Sequence, residues 1–167
     1  MTVTVGFCAA RSNSGKTTLL LRVLEELQRR DLKVAVLKHG RHLDGDEEKD
    51  SRRYAAQAAA SLFVSPQGWT LEAHPEEELP LDQAIELICR LSGCQVLLIE
   101  GYKKAAIPKI AVCRQEIALE LPCPEQELLA VVTDSPLDTA LPQFGFDELP
   151  RLCDFILELQ DSAGLGC

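Results

Sequence analysis

The sequence predicts an α/β fold, layered, with a mostly parallel sheet. Three observations carry this. The first forty residues read strand, loop, helix, strand, which is a βαβ unit and demands parallel pairing. Two later apolar runs, Val96–Ile99 and Leu128–Thr133, are short, branched and closed by an acid, as strands buried on both faces are. The segments between strands carry apolar residues at helical spacing.

Val3 to Cys8 is the first strand and Ala9 to Gly15 a loop of small residues. Lys16 to Arg30 follows as a helix with Leu19, Leu20, Val23, Leu24 and Leu27 on one face. Lys33 to Lys38 is the second strand, and Gly40 to Lys49 a charged loop. The Ala-rich stretch from Asp50 to Ala60 suits a short helix. Ser65-Pro66-Gln67-Gly68 is a turn between the short strands Leu62–Val64 and Trp69–Leu71. Leu81 to Leu91 is amphipathic, and Gln95 to Ile99 is the most apolar strand, ending at Glu100-Gly101. Ile107 to Arg114 and Leu128 to Thr133 are further strands, and Leu149 to Gln160 a last helix. The hairpin around Pro66 and the strands from Ile107 to Leu121 are expected as antiparallel additions. One domain is expected over residues 1–160, with a frayed tail over 161–167.

The chain has 167 residues, 17 Lys and Arg against 26 Asp and Glu, and a net charge of −9. That acidity argues against a general binder of nucleic acid or of anionic membranes. No apolar run approaches the ~18 residues of a membrane span. The seven cysteines show no C-x-x-C and no zinc-like spacing with His. They read as reduced, mostly buried thiols of a cytoplasmic protein.

The chemistry is concentrated in Ala10-Arg11-Ser12-Asn13-Ser14-Gly15-Lys16-Thr17-Thr18. Apart from Ala10 in place of the first Gly, this is G-x-x-x-x-G-K-S/T between a strand and a helix. Loop N–H groups and a helix N-terminus make an anion cradle, which a triphosphate fits. Gly15 lets the backbone approach closely, Lys16 gives a charge to the β- and γ-phosphates, and Thr17 offers a hydroxyl to Mg²⁺. The fold expected is therefore a three-layer P-loop NTPase domain. Its metal needs a carboxylate at the end of another buried strand, and Glu100 stands there. Asp134, closing the strand that ends at Thr133, is a second strand-end acid that could accept hydrogen bonds from a guanine ring. Lys38, His39, Lys103 and Lys109 gather by sequence at the carboxyl edge of the sheet, where ligands bind in open α/β folds.

Together these segments resemble the molybdopterin-guanine dinucleotide biosynthesis adaptor protein family, MobB. The resemblance lies in Ser12 to Leu19, Val36-Leu37-Lys38-His39, Lys49-Asp50-Ser51, Leu97 to Lys103, Pro108-Lys109-Ile110 and Val131 to Asp134. It runs from Val3 to about Asp134. The chain departs from the family pattern at Ala10, at Glu48 before Lys-Asp-Ser, and at Ala58, where glycines are usual. The resemblance implies GTP and Mg²⁺ as ligands, slow hydrolysis at most, and a homodimer. It implies a partner, the molybdenum cofactor guanylyltransferase that joins GMP to molybdopterin and carries the chemistry. Asn13, Ser14, Gly15, Lys16, Thr17 and Thr18 would hold phosphates, and Thr17 and Glu100 the metal. Lys38, His39, Asp50, Lys103 and Lys109 would line the nucleotide or pterin-facing cleft. No residue declares itself as the one that positions water; Asp50 and His39 are the candidates. Two rival readings use the same loop, a small-molecule kinase and a metallochaperone-type GTPase. The first lacks an Arg-rich lid and the second a Cys/His cluster in this sequence.

Overall fold

A computed structural model describes residues 2–40, 57–73 and 76–159. By contact the chain forms two compact units, Met1–His39 with Ile85–Cys167, and Gly40–Ala84.

The first unit is built on a six-stranded sheet. Its strands are β1 (Val3–Cys8), β2 (Val34–Lys38), β5 (Val96–Glu100), β6 (Lys109–Cys113), β7 (Leu128–Thr133) and β8 (Gln143–Phe144). They lie in the order β2-β5-β1-β6-β7-β8, and every pairing is parallel. β5 and β6 are buried along their whole length, which explains their unbroken apolar runs. Helices α1 (Lys16–Arg29) and α3 (Leu149–Glu158) cover one face. There Val5, Phe7, Val23, Leu27, Leu98, Leu152 and Ile156 form one core, all fully buried. On the other face Cys8, Ala111, Cys113 and Val131 pack under Leu121, Cys123, Leu137 and Leu141, so loops close that side. The two-residue strand β8 is too short to leave a periodic signal in the sequence.

The expectation of antiparallel strands from Ile107 onward is overturned. β6 runs parallel to both β1 and β7. β5 and β6 flank β1 on opposite sides, so the short segment between them must cross β1. It can do so because β6 starts level with the end of β5: Gly6 pairs with Lys109 while Phe7 pairs with Glu100. Gly6 leaves room for the crossing, since a Cβ there would stand 2.9 Å from Ile107 Cδ1. The only antiparallel contact near this strand is the Arg114–Ala118 bridge at its end, among the described residues.

The second unit holds β3 (Ala60–Ser65) and β4 (Gly68–Ala73), an antiparallel hairpin as the turn residues foretold. Leu62 faces Leu71 and Val64 faces Trp69 across it, and all four side chains are more than half exposed. Helix α2 (Leu81–Ser92) follows. The short helix expected over Asp50–Ala60 falls largely outside the described residues, and Ala60 begins β3. Among the described residues no helix is long and apolar enough to cross a membrane.

Candidate functional site: a phosphate cleft

The cleft is made by the segment that leaves β1 and enters α1. Asn13 and Gly15 both take left-handed backbone angles, φ 61° and 82°. Two such residues on either side of Ser14 curl the chain so that its N–H groups converge, the geometry of an anion nest. Gly15 is also the N-cap of α1, and no side chain caps the helix. The amides of the first turn are therefore left for a ligand. Ala10 is not among the residues with positive φ, so a methyl group in place of hydrogen at that position costs no left-handed strain.

Residues Ser12 to Thr18 and Glu100 line a cleft of about 480 Å³. Ser14 is buried, and the Lys16 ammonium lies 3.5 Å from its Oγ, so the lysine folds back over the loop. Strand register brings the acid in: Phe7 of β1 pairs with Glu100 of β5. Thr17 Oγ1 donates to Glu100 Oε1 at 2.8 Å, across 83 residues of sequence. A hydroxyl and a carboxylate are hard oxygen donors, the set that Mg²⁺ takes when phosphate and water complete its shell. The residues present thus fit such an ion.

A second group gathers at the ends of β2 and β5. Lys38 pairs with Glu100, and the His39 amide donates to the Glu100 carbonyl at 2.9 Å. The His39 and Tyr102 rings lie 4.5 Å apart. Gly101 permits this: its φ is +101°, and a Cβ would stand 3.0 Å from the His39 carbonyl oxygen. Tyr102 itself sits at φ 46°, a strained angle for an aromatic residue. Lys38, His39 and Lys103 are exposed on this edge.

Two residues singled out in the sequence lie apart from the cleft. Lys109 is buried, and its ammonium donates to the carbonyls of Lys103 and Ala105 and to Glu127 Oε2, at 3.1, 2.8 and 2.8 Å. It ties the crossing loop to the turn before β7. Asp134 is exposed at the end of β7, where its Oδ1 accepts the Gln115 amide at 2.8 Å. Asp50, with Glu48, lies outside the described residues.

This geometry can be set beside known proteins. The family model described as molybdopterin guanine dinucleotide synthesis protein B matches residues 4–134, from β1 to Asp134. The chain belongs to the MobB family. Two curated relatives are named molybdopterin-guanine dinucleotide biosynthesis adapter protein. That of Haemophilus influenzae is 34% identical over 148 residues, 87% of this chain and 83% of that one. That of Escherichia coli is 32% identical, over 90% of this chain and 89% of its own. A crystal structure titled as molybdopterin-guanine biosynthesis protein B (mobB) superposes with a TM-score of 0.73 at 30% identity, covering 95% of this chain and 99% of that one. Bacillus subtilis MobB gives a TM-score of 0.72 at 28% identity, covering 93% and 96%.

In this MobB chain one polar side chain near the loop escaped the sequence reading. Arg114 directly follows β6, beside the strand that carries the phosphate loop. Its guanidinium lies beside Gly15, and its Cζ is 4.4 Å from the centre of the Phe146 ring. A cation closing an apolar run next to the loop strand was the available signal. The neighbourhood only became visible once β6 proved to be parallel to β1.

Proposed function

We propose that this MobB chain is a GTP- and Mg²⁺-binding adapter in molybdopterin guanine dinucleotide biosynthesis, serving the guanylyltransferase that joins GMP to molybdopterin. The observation that carries the nucleotide reading is the pairing of an uncapped, left-handed phosphate loop with the Thr17–Glu100 contact at its mouth. Asn13 to Thr18 would hold the β- and γ-phosphates, and Thr17 and Glu100 would hold Mg²⁺, which supplies charge neutralisation at those phosphates. Asp134, exposed at the end of β7 with its Oδ1 already accepting the Gln115 amide, would accept from the N–H edge of a guanine ring through its carboxylate. Among the described residues Glu100 is the one carboxylate lining the cleft, and Thr17 engages it. That arrangement supports slow hydrolysis, with the transfer chemistry in the partner. His39, exposed at the sheet edge, and Asp50 stay the candidates for positioning water. The exposed cations Lys38 and Lys103, with His39, suit a second anionic group such as the phosphate of molybdopterin. Leu62, Val64, Trp69 and Leu71, exposed on one face of the hairpin, support a homodimer. A cytoplasmic setting agrees with the free cysteines among the described residues.

Titration calorimetry of GTP and ATP with Mg²⁺, on the native protein and on Lys16→Ala, tests this. GTP should bind well, ATP poorly, and Lys16→Ala should lose at least about tenfold, the loss of one good charged contact. Equal or better binding of ATP would move the reading to a kinase of the same fold.

A further inference from the structure

Arg114 is the one described side chain with a buried polar atom that finds no acceptor: its Nε is shut away from solvent and makes no hydrogen bond among the described residues. It is also the guanidinium atom nearest the phosphate loop. A Cβ on Gly15 would lie 3.2 Å from Nε, 3.3 Å from Nη2 and 3.4 Å from Cζ, so the guanidinium stands close beside Gly15. Its Cζ also stands 4.4 Å from the centre of the Phe146 ring. The backbone of Arg114 is fixed as well. Its amide donates to the Ala118 carbonyl, and the next amide, Gln115, is held by Asp134. A buried N–H left unmatched is costly, and one in a native protein calls for a functional role or a ligand or water that meets it.

We propose that Arg114 is a positioning residue of the phosphate loop, whose Nε–H gains its acceptor when the loop closes on a nucleotide. The proposal rests on the nucleotide-binding reading above. Packed behind Gly15, Arg114 stands outside the residues that line the cleft, so it acts through the loop and not by touching the phosphates from the front. Its plane keeps Gly15 in the left-handed turn that aims the amides inward, and its charge adds to the positive end of α1. Lysine cannot replace it, because a point charge on a flexible stem has neither an Nε–H at this place nor a planar group to set beside the phenyl ring. Gly15 is thereby fixed twice over, by its angle and by the guanidinium at its back. Asp134 acquires a second use, as the anchor of the turn that bears Arg114.

Nitrogen–proton correlation spectra of the full-length native protein test this, with GDP and Mg²⁺ as the added ligand. The Arg114 Nε–H signal is assigned through its own side-chain carbons, and the Gly15 and Lys16 amides report binding independently. On addition of GDP the amides should shift, and the Arg114 Nε–H should move downfield and exchange more slowly with water. Amide shifts with an unmoved Nε–H signal and an unchanged exchange rate overturn the proposal while leaving nucleotide binding intact. Unmoved amides overturn nucleotide binding and the proposal together. Arg114→Lys should weaken GDP about tenfold with the melting temperature nearly unchanged, a factor worth about 1.4 kcal/mol. Undiminished affinity in that variant also overturns it.

Discussion

Thr17 and Glu100 meet because two neighbouring strands run parallel in one register, and the pair makes a sharp test of the metal reading. In Glu100→Gln the amide oxygen can still accept from Thr17, while the charge that would face a cation is gone. We expect GDP to bind this variant with an affinity that Mg²⁺ no longer raises, where the native protein gains from the ion. Parallel titrations with Mg²⁺ and with EDTA read the difference. Lys16, Thr17 and Glu100 were legible in the sequence because each sits at a fixed offset from a strand end, and a strand end is a local signal. Lys109 and Arg114 were not. Both follow apolar or Pro-containing stretches that look alike in one dimension. What separates them is which neighbour each strand acquires, and the two side chains went to opposite uses, one buried in a carbonyl cage and one laid under the phosphate loop.

At the scale of elements, the crossing between β5 and β6 depends on Lys109. Its ammonium bonds two carbonyls of the crossing loop and the carboxylate of Glu127. Lys109→Met preserves the buried stem but strands both carbonyls. The expected cost is about 1–3 kcal/mol for each group left unmatched, with some recovered where water reaches the loop. Urea denaturation should show a lower midpoint at an unchanged slope. Helices α1, α2 and α3 and the strands of the β3–β4 hairpin were readable from periodicity and from turn residues, and the two-residue strand β8 was not. The direction of β6 was not, because a connection of this length usually means a hairpin. Only the stagger of β6 against β5 and the bare backbone of Gly6 allow a parallel crossing.

Two expectations concern the whole molecule. If copies meet through the β3–β4 hairpin, Val64→Asp puts a charge in the middle of its apolar face. Sedimentation should then find native dimers and mutant monomers at the same concentration, with the nucleotide site unaffected. Stability should also fall in alkali. Burial pushes the Cys8 thiol up to about 12, helped by its neighbour Cys123, and that of Cys153 up to about 11, from an ordinary value of 9.0. Below pH 9 both thiols are protonated folded or unfolded, and stability is complete. Above it the unfolded chain sheds protons that the folded chain retains, so stability declines as pH climbs from 9 toward 11 and 12. Thermal melts across that range read the decline, and Cys153→Ala should make it shallower.

The sheet order has one more consequence, and it concerns time. β1 is the second to be flanked and the first to be made. Its partners are Val96 to Glu100 on one side and Lys109 to Ala111 on the other, about a hundred residues downstream. On a ribosome adding roughly 5–20 residues each second, that is a wait of many seconds with both edges of β1 unpaired. During this interval only the local helix α1 can shield its apolar face. The nascent chain therefore cannot secure its phosphate loop until β6 has emerged. A protein truncated before Lys109 should be bound by chaperones or aggregate, and should not persist as a smaller folded domain.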